Sequence, residues 1–278
     1  MCNFVLSTLQ SVSDRAALDM RNSLQTMWRW FKRIVLTVVV AILIFVFYEV
    51  VTFPHVSKLR TENPQTTALI ETRAQEARDK GEQPRRFQTW VALDKLSVNL
   101  QRAVIAGEDV NFTVHHGFDY EAIQRAWDDA QREAAKEAKE EGDDQASWIP
   151  TLPSFKRGAS TISQQLAKNL YLSNERSFIR KGKEAIITYF LEKNLSKKRI
   201  LELYLNVIEW GDGIYGAEAA AQYYFQKPAS ALSASEAAFL SAMIPNPRTV
   251  FNPRVNPKRV ARRQRIIMRG MPFVKVPQ

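Results

Sequence analysis

Residues 158–169 read GASTISQQLAKN, and whether they open a helix decides the fold class. Ser160 and Thr161 are both good N-cap residues, because a side-chain oxygen at that position accepts a hydrogen bond from a free amide of the first turn. A helix starting there puts Thr161, Gln164, Gln165 and Lys168 at three- and four-residue steps, on one face. Ile162, Leu166 and Leu170 then point elsewhere, toward a core. A solvated amphipathic helix would satisfy the same pattern. What sets the stretch apart is a face bearing two adjacent amides and a lysine where an ordinary surface helix bears paired charges. Outward from it, apolar residues recur at helical spacing over residues 96–107, 160–172, 182–195, 197–208, 215–225 and 234–243, and strand-like alternation is scarce. The expected fold class is mainly α.

Length and composition bound the rest. At 278 residues and 45% hydrophobic content the chain can form one globular domain of about 200 residues plus extensions. Its formal net charge of +10 calls for a polyanionic partner: nucleic acid, an anionic membrane surface or a phosphorylated substrate. A single cysteine, Cys2, excludes an internal disulfide framework and a cysteine metal cluster, and three histidines are too few for a histidine-rich zinc site.

Residues 34–53 are apolar but for Glu49 and long enough to cross a bilayer. The preceding WRWFKR carries Arg29, Lys32 and Arg33 beside Trp28 and Trp30, which by the positive-inside rule keeps the N-terminus in the cytoplasm. The competing reading, a cleaved signal peptide, lacks a small-x-small cleavage site after the run. The expected organisation is a cytoplasmic segment at 1–33, a transmembrane helix at 34–53, a stalk at 54–88 with one helix over 66–80, and an outer domain at 89–278. That domain carries an acidic insertion at about 128–149. With the domain outside the cytoplasm, nucleic acid becomes a poor explanation of the charge, and membrane phosphates or lipid-linked diphosphates become good ones.

Four clusters carry chemistry. In AGEDVNFTVHHGFD, residues 106–119, the side chains of Glu108 and Asp109 diverge by about 100° on a helix and cannot form a tight carboxylate pair. Glu108 follows the apolar run RAVIAG and precedes Phe112, so partial desolvation suits it to general-base work. Capping a following turn is the structural alternative. His115 and His116 read as hydrogen-bonding residues of a turn rather than as metal ligands. In NERSFIRKGKEAI, residues 174–186, Arg176 and Arg180 are like charges at i, i+4, a spacing that favours a bound anion, with Lys181 nearby. Arg180 with Glu184 also makes an ordinary i, i+4 ion pair. Together with Lys168, these cations have the character of a diphosphate clamp. Glu184 would hold a divalent ion on that diphosphate or orient the cations. In KKRILELYLNVIEWGDGIYGAEAAAQYYF, residues 197–225, Glu202 and Asn206 are expected to brace a loop containing Gly211, Gly213 and Gly216. The basic stretch Lys258–Arg269, six bases and no acid, reads either as a contact for anionic lipid or as a solvated helix.

Five stretches in order resemble one family's motifs: EDVNFTVHHG resembles EDxxFxxHxG, GASTISQQLAKN resembles GGSTITQQLxKN, RKGKE resembles RKxxE, KKRILELYLN resembles KxxILExYLN, and EAAFLSAMIPNP resembles EAAxLAxxPxxP. These are the motifs of the peptidoglycan glycosyltransferases, glycosyltransferase family 51, over roughly residues 60–255. Two small departures are Ala159 for glycine and Ser241 for alanine. No SxxK of a transpeptidase is present, so the likeness is to the monofunctional biosynthetic form. The resemblance implies a lysozyme-like helical lobe with a smaller membrane-facing lobe, and polymerisation of lipid II at the outer face of the cytoplasmic (inner) membrane.

It further implies Glu108 as the general base. Lys168, Arg176 and Arg180 would stabilise the departing diphosphate, with Glu184 positioning them or holding a Mg2+ or Mn2+ ion. Gln164, Gln165 and Asn169 would hold sugar or phosphate oxygens, and Asp109, Phe112, Ser160, Thr161 and Lys181 would complete the substrate site. The implied partners are lipid II, the growing lipid-linked glycan, the membrane and the cell-wall synthesis machinery. Two rival functions are a lytic glycosidase on the same fold, which needs no diphosphate clamp, and a noncatalytic membrane-anchored scaffold, which would tolerate loss of Glu108.

Overall fold

The computed structural model describes residues 2–140, 160–172 and 177–278. Arg176 lies outside the described residues, as do residues 141–149 of the acidic insertion. The chain divides into two units, residues 1–54 and 55–278.

The first unit is one helix, α1 (Cys2–Val51), about 75 Å long at 1.5 Å per residue. It continues without a break through the boundary expected at residue 33. From Ile34 to Val51 its large apolar side chains are exposed all round, the arrangement of a helix whose solvent is lipid. It is long and apolar enough to cross a membrane. The helix stops two residues short of Phe53, because Pro54 disfavours helical backbone in the residue before it.

The second unit is mainly α, as expected. It contains α2 (Ala68–Asp79), α3 (Val98–Glu108), α4 (Tyr120–Glu140), α5 (Ile162–Tyr171), α6 (Phe178–Asn194), α7 (Lys197–Val207), α8 (Ala217–Phe225), α9 (Ala234–Met243) and α10 (Pro257–Gly270). Three short strands, β1 (Phe87–Gln88), β2 (Glu209–Gly211) and β3 (Ile214–Tyr215), form a sheet in the order β1-β3-β2. β1 runs parallel to β3, with Phe87 opposite Ile214, and β2 runs antiparallel to β3.

Residues 55–88, read from sequence as a stalk, are folded into this unit. Val56, Leu59, Leu69 and Ile70 are buried, and Arg73 on α2 forms an ion pair of 2.9 Å with Glu209 on β2. Polar spacing and prolines marked the segment as irregular, but its few apolar residues are enough to dock it.

Two groups of packed helices carry the site. α3, α9 and α10 pack on one another, and α5 packs against α6, α7 and α2. In the first group the approach of α3 to α9 depends on Gly107: a Cβ there would lie 2.6 Å from Ser241 Oγ and 3.1 Å from Ile267 Cδ1. The Ser241 hydroxyl is buried and donates to Ala103 O at 2.8 Å, so a serine sits among apolar side chains without an unmet hydrogen bond. In the second group α5 is opened by a capping box. Thr161 Oγ1 accepts from Gln164 N, and Gln164 Oε1 accepts from Thr161 N.

The α6 helix begins four residues before its expected start. Ser177 caps it by accepting from Arg180 N, and its first residues, Phe178 and Ile179, face outward, so the periodic signal starts only after them. Glu202 and Asn206 on α7 were expected to brace the glycine loop. They hold residues 91–93 instead: Asn206 exchanges two hydrogen bonds with Val91 (2.8 Å each), and Glu202 Oε2 accepts from Leu93 N at 3.1 Å.

Candidate active site

Glu108 is the last residue of α3. Its side chain is 7% exposed. Oε2 accepts from Gln165 Nε2 at 2.8 Å, and Oε1 accepts from Arg263 Nη2 at 2.7 Å. Tyr204 on α7 fixes the orientation of the Gln165 amide, because its hydroxyl donates to Gln165 Oε1 at 2.7 Å. Burial, with Glu108 and Asp109 nearby, pushes the Tyr204 phenol well above its ordinary range, so it stays a donor. Desolvation likewise raises Glu108 above the ordinary carboxylate range, against the opposing pull of Arg263 and Gln165. Each carboxylate oxygen keeps a second lone pair for an incoming hydroxyl. The residue opens onto a cavity of about 340 Å³ that Ser160, Thr161, Asn111 and Asp119 also line.

Asp109 turns the other way, as its neighbouring position on the helix requires. Its carboxylate is buried, accepts from Ile162 N at 2.9 Å and pairs with His115 Nε2 at 2.9 and 3.0 Å. Gly117 N donates to His115 Nδ1 at 3.1 Å, so the imidazole proton sits on Nε2 and points at Asp109. The Thr161 hydroxyl donates to Gly117 O at 2.7 Å. These contacts tie the turn after α3 to the first residues of α5, and thereby set where Gln165 meets Glu108. Asp109, Thr161 and Gln164, three of the expected substrate contacts, spend their visible hydrogen bonds on this joint. Phe112 is fully buried, with the Lys197 ammonium 4.6 Å from its ring centre.

The cation cluster gathers around the α5–α6 contact. Lys168 stands one turn beyond Gln164 on α5. Burial lowers its pKa most; the Glu184 and Glu108 charges raise it, while Arg180 and Lys181 lower it. Among the described residues its ammonium makes no ion pair. Glu184 on α6 is 4% exposed; Oε2 accepts from Arg180 Nη1 at 2.7 Å and Oε1 pairs with Lys181. Its two oxygens therefore organise the cations of its own helix. Among the described residues no group of three histidine, cysteine, aspartate or glutamate side chains is placed to hold a metal ion. Asn169, the next residue after Lys168, is half-buried.

Arg263 is the residue that sequence reasoning missed. It belongs to the basic stretch read as a lipid contact or a solvated helix, which is α10. Val260 and Ile267 on that helix are buried against the domain, and Arg263 reaches inward to donate to Gly107 O (2.8 Å) as well as to Glu108. The available signal was Val260 and Ile267, seven residues apart with Arg263 between them on the same face. A larger open cleft of about 730 Å³ lies at the start of α3, but it brings together no such pairing of a desolvated carboxylate with a cation cluster.

The family described as Transglycosylase matches residues 75–142 and 145–272. The biosynthetic peptidoglycan transglycosylase of Azoarcus sp. (strain BH72) is 43% identical over 235 residues, covering 84% of this chain and 92% of that protein. The protein of that name from Thiobacillus denitrificans is 42% identical over 255 residues, 92% of this chain and 100% of its own length. A third, from Laribacter hongkongensis, is 42% identical over 247 residues, 88% of this chain and 99% of its own.

Proposed function

Because the chain belongs to the transglycosylase family, an enzyme family of peptidoglycan strand synthesis, we propose that it polymerises lipid II into linear glycan strands. The single observation that carries this reading is a desolvated Glu108, held by Arg263 and Gln165, with Lys168 within reach of its charge. Glu108 takes the proton from the 4-hydroxyl of the acceptor N-acetylglucosamine. That oxygen attacks C1 of the donor N-acetylmuramic acid, the C1–O bond to diphosphate breaks, and undecaprenyl diphosphate leaves. Attack opposite the leaving group turns an α-linked diphosphate into a β-1,4 bond.

Desolvation favours the neutral form of Glu108 that follows proton transfer, while Arg263 and Gln165 keep the carboxylate available beforehand. The charge that builds on the leaving diphosphate is met by Lys168 and Arg180, with Arg176, four residues before Arg180 in sequence, as a further cation. Glu184, by binding Arg180 and Lys181, holds the clamp in shape. A Mg2+ or Mn2+ ion on the diphosphate would be held from the protein side by Glu184 and would add charge stabilisation to that of the cations; a chelator titration decides this.

Two features support work at a membrane. The apolar α1 suits an anchor, and WRWFKR before its apolar run favours an N-terminus in the cytoplasm, with the second unit outside the cytoplasmic (inner) membrane. On α6, Phe178 (88% exposed), Ile179, Ile186 and Tyr189 form an outward apolar face next to the cation cluster, suited to the acyl region from which a lipid-linked substrate enters. Association with other cell-wall synthesis proteins belongs to the same reading. A lytic glycosidase is disfavoured, because Asp109 is engaged by His115 and Ile162 N and is not free to act as a second carboxylate.

The direct test incubates the detergent-solubilised full chain with labelled lipid II and resolves products by size. Muramidase-sensitive polymer is expected. Absence of polymer, with fragments released from preformed glycan, would reverse the reading.

A further inference from the structure

A second groove lies between the β1–β3 sheet edge, α8 and the loop before α10. It has a volume of about 240 Å³ and is lined by Phe87, Tyr223, Tyr224, Asn252, Arg85 and Arg254, among others. That is below the ~300–1,000 Å³ of sites for drug-sized ligands and suits a narrow, repeating ligand. Its chemistry is distinctive. Phe87 is 60% exposed and Tyr223 51% exposed, although both are large aromatic residues on regular elements. The Arg254 guanidinium lies 5.9 Å from the Tyr223 ring centre, and Tyr224 meets Tyr223 edge-on at 4.9 Å.

The walls are fixed rather than loose. The Tyr224 hydroxyl donates to Trp210 O at 3.0 Å. Gly213 has φ +71°, and a Cβ there would lie 2.6 Å from Arg85 Cβ, so only glycine lets the β2–β3 turn sit this close to the strand entering β1. Asp212 is held by Arg248 at 2.8 Å. Arg254 makes no ion pair among the described residues, which leaves the groove a cation to offer.

We propose that this groove binds the nascent glycan strand, the product of the reaction assigned above, and the inference rests on that reading. Aromatic faces stack on the apolar faces of sugar rings, and Asn252 and the arginines can hydrogen-bond N-acetyl and hydroxyl groups. The acids on the strand's lactyl and peptide substituents complement Arg254, since Arg85 already lies 3.9 Å from Asp212, the acid that also lines the groove. A bare apolar groove would suit a protein side chain; exposed aromatics interleaved with guanidinium and amide groups suit an acidic, N-acetylated polysaccharide. A strand held here dissociates more slowly between additions, so the groove lengthens the product without touching the chemical step.

The test uses the full chain in detergent with soluble, uncrosslinked peptidoglycan strands as probe. The variants are Tyr223→Ala combined with Phe87→Ala, and separately Arg254→Gln. All three side chains are exposed, so the fold should persist; Arg254→Gln, which keeps the groove's aromatic wall, reads the site even where the double variant unfolds. Wild type is expected to bind the strands, each variant to bind at least tenfold more weakly, and each to make shorter chains at an unchanged initial rate of lipid II consumption. Equal binding and an equal length distribution in a folded Arg254→Gln variant would overturn the inference while leaving the polymerase reading intact, as would capture of an acidic peptide but not of glycan. A wild type that makes no polymer would instead strike the polymerase reading, and strand binding would still be scored.

Discussion

Replacing Arg263 with alanine should move the pH profile of the reaction. Arg263 Nη2 donates to Glu108 Oε1 at 2.7 Å and to Gly107 O at 2.8 Å, and the Glu108 side chain is almost wholly buried. A hydrogen bond to a charged group contributes about 1.5–3 kcal/mol, and one pKa unit corresponds to about 1.4 kcal/mol. Loss of the arginine should therefore raise Glu108 further, on top of the rise that burial already causes. The general base works as the carboxylate, so the acid limb of kcat/KM should move to higher pH, with kcat/KM on that limb falling by roughly 10- to 100-fold.

Stability follows the same sign. The folded-state pKa of Glu108 lies above the ordinary 4.5, so the folded protein binds its proton more tightly than the unfolded chain does. Its contribution is fully present below that value and is lost as pH rises through the raised folded pKa. The variant should thus lie close to wild type in Tm at about pH 4 and fall behind it at about pH 8. Rate profiles with lipid II and thermal melts across this range are the assays. An unchanged acid limb in a folded variant would refute the role given to Arg263, and Arg263→Lys, which keeps the charge, should fall between the two.

Lys168→Ala should lower kcat by about 10²–10³, the usual loss for one donor aimed at developing charge, without changing the melting temperature; Lys168→Arg, which cannot lose its proton, should extend activity to higher pH because burial lowers the lysine. Gly107→Ala should destabilise by roughly 1–3 kcal/mol through overpacking against Ser241 and Ile267, despite gaining about 1 kcal/mol of helix propensity, and adding Ser241→Ala should recover part of the loss in a thermal melt. Glu236 is held at about 2 by Lys227 and the Ser233 cap. Its stabilisation is present above about 4.5 and is lost as pH falls from there through about 2, so Glu236→Gln should flatten the acid side of the stability curve and, by losing the Lys227 pair, cost at most about 1 kcal/mol at neutral pH.

Helical periodicity made most of the domain legible before any coordinates. The boundaries of α5, α7 and α9 fall within two residues of those expected, because each has an apolar face and a Ser or Thr cap. Legibility failed where a residue's environment comes from distant chain. The first turn of α6 is apolar on the outside, so its pattern runs against burial. Residues 55–88 look like a linker until Arg73 meets Glu209 across 136 positions.

In the candidate site, local pattern and resemblance pointed to Glu108, Gln165, Lys168 and Glu184, and the fold brings Gln165 onto Glu108 and puts Lys168 within reach of the Glu108 and Glu184 charges. Asp109 was expected as a substrate contact from the likeness of EDVNFTVHHG to the family motif. The tertiary fold turns it into the joint between α3 and α5. Arg263 went unread among six bases: the spacing of Val260 and Ile267 puts it on the apolar face, but only the packing of α10 on α3 aims it at Glu108.

The most direct measurement of the central claim compares wild type with Glu108→Gln in polymerisation of labelled lipid II by the full chain in detergent. The amide keeps the shape, offers one acceptor oxygen to the two donors Gln165 and Arg263, and cannot accept the proton, so turnover should fall by about 10²–10⁴ with the fold retained. Near-normal polymer from the folded variant would contradict Glu108 as the general base, and with it the chemistry assigned to this site.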